Sequence, residues 1–216
     1  MTSSLIALSS TRRWIIYAVA AIACVAASAL LDQWVYDHVA RPDVYEHDWG
    51  RMLRMVGYLP TWIAVAVGAA CADPTVRDWR GTARSAPALV LYSATAGGIA
   101  AELLKLVIRR RRPDAAHGVH LFRAWSDHPL SNGGFGMPSS HALVAFGAAV
   151  MLARVYPRGR ILWYALAAGC AATRVLSRAH FLSDVVLAAA VAPMIGHWVA
   201  NGLGAKGVGT VRAASR

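Results

Sequence analysis

Charge is what this chain lacks most. Asp, Glu, Lys and Arg make up 15% of its 216 residues, where a water-soluble domain carries about a quarter. Acidic residues are scarcest, 11 against 22 Lys and Arg, so the formal net charge is +11. Three cysteines are too few for a disulfide-stapled secreted domain. Cys24, Cys71 and Cys170 each fall inside an apolar run, where small buried hydrophobes are expected. Collagen-like and disordered chains are excluded by the same composition. What is plentiful is apolar: 57% of residues are hydrophobic and the mean hydropathy is +0.43. That excess has to face something other than water, and lipid is the natural candidate. The basic surplus then points to lipid headgroups and topology, and not to nucleic acid.

A transmembrane helix needs about 20 mostly apolar residues. Six runs approach that length, near 14–31, 53–72, 86–108, 141–156, 161–176 and 184–201. Arg54 and Pro60 weaken the second, and the fourth and fifth are short. The expected fold is all-α: one integral-membrane domain over 1–216, a six-helix bundle with its site at one membrane face. Small residues crowd every run and let helices approach closely. Trp14, Trp34, Trp62, Trp79, Trp163 and Trp198 lie near run ends, as interfacial aromatics do. Arg12-Arg13 before an apolar stretch and Ala27-Ser28-Ala29 resemble a signal peptide. The run of eighteen exceeds the usual signal core of about 7 to 15, so an uncleaved span is expected.

Lys and Arg set orientation. With a cytoplasmic N-terminus, 11 fall inside, among them Arg77, Arg80, Arg84, Lys206, Arg212 and Arg216, and 11 outside. Eight of the outside set are Lys105 to Arg123, Arg174 and Arg178, which have another explanation. Discounting them leaves 11 against 3, placing both termini in the cytoplasm. A bacterial inner-membrane protein with its site facing the periplasm is the expectation.

Charges at span edges are functional hypotheses by default. Lys105 stands seven residues before Arg112-Pro113; Pro138-Ser139-Ser140-His141 opens the fourth run; Arg174, His180 and Asp184 join the fifth to the sixth. Cations, a helix N-terminus with Ser139 and Ser140, two histidines and a carboxylate suit an oxyanion, most plausibly phosphate. His180 and Asp184 are four apart, a spacing that puts both on one helical face. The carboxylate can fix the tautomer that leaves the other nitrogen free to attack. His141 can protonate the departing alkoxide. No metal or other cofactor is required.

These three segments resemble, in order, the signature motifs of the type 2 phosphatidic acid phosphatase superfamily. Those read Lys, six residues, Arg-Pro; Pro-Ser-Gly-His; and Ser-Arg, five residues, His, three residues, Asp. The resemblance implies that His180 becomes a phosphohistidine, Asp184 orients it and His141 is the general acid. It further implies that Lys105, Arg112, Ser139 and Arg174 hold the phosphate oxygens, joined by the Ser140 backbone if its Cβ fits. Ser140 replaces the family's Gly, and Thr173 replaces its Ser.

The expected function is metal-independent hydrolysis of the phosphate or diphosphate of a lipid. A phosphotransferase with an acceptor other than water is the alternative enzyme, and a non-catalytic phospholipid-binding or transport protein the alternative of another class. A phosphorylated lipid and the bilayer are the expected partners. Other residues invite plainer readings. Lys105 has Glu102 three residues earlier as an ion-pair candidate. Arg109, Arg110 and Arg111 read as interfacial anchors, and His117, His120 and His128 as a solvated loop and not a metal site. Ser183 and Asp184 can cap the last helix. For His197, hydrogen bonding between helices is the default.

Overall fold

The computed structural model describes residues 2–72 and 85–202. Among them there are seven α-helices and no strand: α1 (Thr2–His38), α2 (Asp48–Met55), α3 (Leu59–Ala72), α4 (Ala86–Ile108), α5 (Ser140–Val155), α6 (Arg160–Leu176) and α7 (Leu182–Gly202). The expected all-α class is what is found. Trp79 and the basic residues Arg77, Arg80, Arg84, Lys206, Arg212 and Arg216, used for orientation, lie outside the described residues.

Among the described residues three helices are long and apolar enough to cross a membrane: Thr11–His38 within α1, α4 and α7. The second expected run is not one helix. It splits into α2 and α3, bent by 67° at the break, and would count as a fourth crossing only if the pair is one broken span. The reason is local: Pro60 lacks an N–H and is tolerated only in the first turn of a helix, so it starts α3 and cannot continue α2. The fourth and fifth runs give α5 and α6, of 16 and 17 residues.

The helix α5 is central. Its residues Leu143, Val144, Ala145, Ala148, Ala149 and Met151 are buried on several sides, against α4, α6 and α7. A helix enclosed this way takes its length from its neighbours and not from the bilayer. Close packing rests on small residues. A Cβ at Gly147 would sit 2.7 Å from the Ser93 carbonyl oxygen, and one at Gly97 would sit 2.7 Å from that of Leu143. Ser93 Oγ also donates to the Gly147 carbonyl at 2.7 Å, satisfying a buried hydroxyl across the α4–α5 contact.

Outer faces are apolar. Ile15, Ile16, Val19, Ile22, Leu30 and Leu31 of α1 are exposed, and α1 is tied inward chiefly to α7, where Tyr17 Oη donates to the Ala190 carbonyl at 2.6 Å. The burial expected of all three cysteines holds only for Cys170; Cys24 and Cys71 lie exposed on the outer faces of their helices. Apolar surroundings in the sequence did not distinguish a protein interior from a lipid-facing surface. His197 bonds within its own helix, to Asn201 at 2.8 Å, and not between helices. Its ring stands edge-on to Trp14 of α1, with centroids 5.1 Å apart.

Candidate active site

At one end of the bundle, the turn leading into α7 carries His180, 3% exposed. Its Nδ1 lies 2.9 Å from the Gly136 carbonyl oxygen. A carbonyl can only accept, so Nδ1 carries the proton and Nε2 keeps its lone pair. The Asp184 carboxylate stands behind, its Oδ2 3.4 Å from Nδ1. Gly136 is therefore the tighter partner, and Asp184 supplies charge. Burial holds the His180 pKa below its ordinary value, outweighing the Asp184 carboxylate, which pulls the other way. The imidazole is neutral at pH 7.

Asp184 has other duties. Its Oδ2 accepts the Phe181 backbone N–H at 2.8 Å, the reach-back of a capping box in the first turn of α7. Its Oδ1 takes the Arg110 guanidinium. Arg110 turns toward Asp32 of α1 as well, at 3.5 Å, with both side chains buried. Asp32 accepts the Ser183 backbone N–H at 2.8 Å and the Ser183 hydroxyl, and His120 Nε2 lies 2.9 Å from it.

Ser139 opens α5 as its N-cap, its Oγ accepting from the Ala142 N–H at 3.5 Å. Its own N–H donates to the Asp184 carbonyl oxygen at 3.2 Å, joining the start of α5 to the start of α7. The N–H groups of Ser140 and His141 then face the open end of the helix. The Ser140 side chain turns to α4, where Lys105 Nζ and Glu102 meet it; Ser140 Oγ donates to Glu102 Oε1 at 2.6 Å. Lys105 and Glu102 do form the ion pair, at 2.8 Å, with Lys105 5% exposed. Asn132 holds the other Glu102 oxygen.

Arg174 Nη1 donates to the Tyr45 hydroxyl at 2.9 Å. Arg54 lies over the same ring, 4.9 Å from its centroid. Thr173 bonds its own helix, Oγ1 donating to the Cys170 carbonyl at 2.7 Å, and its carbonyl accepts from the same Tyr45 hydroxyl at 3.2 Å. Arg112 Nε reaches the Phe135 carbonyl at 3.4 Å. The charges of Arg174 and Arg112 act on His180, and those of Arg174, Arg54, His180 and Lys105 act on His141. All eight residues singled out from sequence are thus gathered at one end.

Three buried nitrogens there have no hydrogen-bond partner among the described residues: Arg110 Nε, His141 Nε2 and Arg174 Nε. Buried polar groups are normally satisfied, so these point to a missing guest. Beside His141 a cavity of about 460 Å³ runs between α3 and α4, with Ser140, His141 and Glu102 at its head and Leu59, Pro60, Ile99, Leu103 and Val144 along it. No Lys or Arg is among its lining residues and Glu102 is a carboxylate, so what this cavity suits is an apolar chain.

Several expectations change. Arg109 and Arg110 are not interfacial anchors; both are buried. Arg109 ends α4 in the left-handed region (φ 57°) and bonds the carbonyls of Arg123, Ala124, Asp127 and Pro129, pinning the loop. His120 is exposed as expected, but its ring also lies against Phe181, centroids 4.8 Å apart, and on Asp32. His128 pairs with Asp127. Among the described residues no three His, Cys, Asp or Glu side chains converge. Asp32 and Tyr45 went unnoticed in the sequence, and Arg54 and Arg110 were given other roles, although Asp32 ends an apolar run and so carried the usual signal.

Among the described residues, helices without a strand, apolar outer faces and a buried cluster of cations and histidines at one end are what fold and site define. Residues 86–207 match the model of the PAP2 superfamily, and the chain belongs to it. A lipid A 1-phosphatase of Rhizobium johnstonii is 33% identical over 101 residues, 46% of this chain and 40% of that protein. A lipid A 1-phosphatase of Rhizobium etli is 35% identical over 91 residues, 41% of this chain and 38% of that protein. The chain thus spans about two fifths of the length of these relatives. No solved structure matches it.

Proposed function

We propose that this protein is an integral-membrane phosphatase that hydrolyses the phosphate or diphosphate of a lipid through a phosphohistidine on His180. Nε2 attacks phosphorus; the phosphorus–oxygen bond to the lipid breaks, and His141 passes a proton to the departing oxygen. Water, deprotonated by His141, then displaces the phosphoryl group from nitrogen, and phosphate leaves. Lys105, Arg112, Ser139, Arg174 and the Ser140 N–H hold the phosphoryl oxygens, and Asp184 offsets the charge that develops on the imidazole. The relatives suggest a lipid A-like glycolipid phosphate as substrate, its apolar part lying in the cavity beside His141. We place the protein in a bacterial inner membrane as a six-span bundle, α2–α3 being one broken span, with both termini cytoplasmic and the site periplasmic.

The observation that carries this reading is the pairing of a neutral His180, its Nδ1–H committed and its Nε2 free, with the unpartnered His141 Nε2 and Arg174 Nε. The test is release of phosphate from a panel of lipid phosphates by purified protein in micelles. His180→Ala abolishes both turnover and the acid-labile, base-stable phosphoenzyme. Turnover that survives this substitution refutes the mechanism.

A further inference from the structure

Asp32 lies outside the three motifs and Arg110 occupies an unspecified position of the first, yet Arg110 is buried between Asp184 and Asp32. We infer that Arg110 and Asp32 are positioning residues for the His180–Asp184 pair, an inference that rests on the reading of His180 as nucleophile. The guanidinium takes Oδ1 of Asp184, which leaves Oδ2 facing Nδ1 of His180. Its second nitrogen faces Asp32, and Asp32 anchors the first turn of α7 through the Ser183 N–H and hydroxyl. Arg110 also donates to Ser183 Oγ at 2.8 Å and lies over the Phe181 ring, 4.8 Å from its centroid. Ser183, the residue just before Asp184, is therefore held by the same two side chains.

The charge balance gives this arrangement its function. Asp184 and Asp32 supply two negative charges from α7 and α1; Arg110, beyond the end of α4, supplies one fixed positive charge. His120 from the loop faces Asp32, and His180 faces Asp184, with Arg174 and Arg112 acting on His180 from its other side. The remaining negative charge is offset when the His180 imidazole turns positive on bonding phosphorus through Nε2 while Nδ1 keeps its proton. Take Arg110 away, and two buried carboxylates face each other with no cation between them; sharing a proton becomes cheaper than remaining both ionised. A protonated Asp184 cannot offset the imidazole charge, and it is free to turn. A buried ion pair is weak evidence for stability as such, so holding one carboxylate oxygen toward the imidazole is the better account of its presence.

The experiment uses the full chain in micelles, with a lipid phosphate substrate, and records kcat and KM as a function of pH alongside thermal unfolding. Arg110→Gln lowers kcat about 10- to 100-fold with KM little changed, and moves the acid limb of kcat upward by about one pH unit, a tenfold change in proton affinity. Arg110→Lys keeps the charge and holds the limb near its wild-type position. Adding Asp32→Asn to Arg110→Gln removes the second carboxylate and draws the limb back. Asp32→Asn alone leaves the guanidinium wholly to Asp184 and moves the limb downward, so the idea stays testable even if Arg110→Gln does not fold. An unshifted pH profile in Asp32→Asn, or a loss in Arg110→Gln that tracks only the folded fraction, overturns the inference. A wild-type protein that releases no phosphate, or turnover in His180→Ala, overturns instead the reading on which it rests.

Discussion

Replacing Gly136 with alanine adds one methyl group at the narrowest point of the site. Its Cβ would lie 2.9 Å from Asp184 Oδ2, about 0.5 Å short of ordinary contact, and 3.5 Å from the Arg112 Cα. Neither side yields easily. Asp184 Oδ2 is held by the Phe181 N–H at 2.8 Å and Oδ1 by Arg110. Gly136 donates its N–H to the Arg110 carbonyl at 2.8 Å and accepts from His180 at 2.9 Å. No positive φ is recorded at Gly136, so the effect is contact and not backbone strain. Overpacking of this kind costs about 1–3 kcal/mol of stability. A displacement of about 1 Å can cost about a hundredfold in rate, so half of that at Asp184 or His180 should cost about tenfold in kcat, or about 1.4 kcal/mol. The assay is steady-state phosphate release in micelles below the unfolding temperature, with Gly133→Ala as control, since a Cβ there meets only Ser131 Oγ at 3.5 Å. Wild-type kcat in folded Gly136→Ala would refute the claim that this segment sets the imidazole's position.

His141→Ala should slow a lipid phosphate far more than an activated aryl phosphate, whose leaving group needs little acid help; equal losses on both count against its role. The His180 pKa lies below its ordinary value, so the neutral nucleophile persists below pH 6.5 and the acid limb of kcat/KM should fall there. By linkage, the stability that a neutral buried His180 contributes is present above the unfolded pKa of about 6.5 and is lost as pH falls below it. A limb above 6.5 contradicts the assignment, and His180→Asn should flatten that part of the stability profile. For sidedness, Ser126→Cys in a variant lacking the native cysteines should react in intact cells with a membrane-impermeant thiol reagent. Labelling only after the cytoplasmic side is opened inverts the topology. Gly118 is the poorer place for the probe, because φ is +79° and a Cβ would meet Tyr36 at 2.6 Å.

The parts of the fold that could be read from sequence are those settled locally. The run 86–108 coincides with α4 because Ser85 caps it and Pro87 lies in its first turn. The break between α2 and α3 was foreshadowed by Pro60, but its angle depends on packing: Gly57 lies against α5, where a Cβ would sit 2.5 Å from the His141 carbonyl. The resemblance of three spaced motifs is borne out by the family match. The surroundings of those motifs were not legible. Four consecutive arginines look alike in sequence, and what buries Arg110 is Asp32, 78 residues earlier. Tyr45, which holds Arg174, is 129 residues from it. Such partners are set by tertiary contact, and no periodicity announces them.

The bond from the Ser183 N–H to Asp32 spans 151 residues. It ties α1 to α7, which is made much later in synthesis. Until α7 is in place, Asp32 has neither that donor nor the Ser183 hydroxyl, and Arg110 has no Asp184. A nascent chain that ends before α7 therefore holds charges on Asp32 and Arg110 still waiting for these partners. Docking of the last helix settles those charges and completes the pocket in one event.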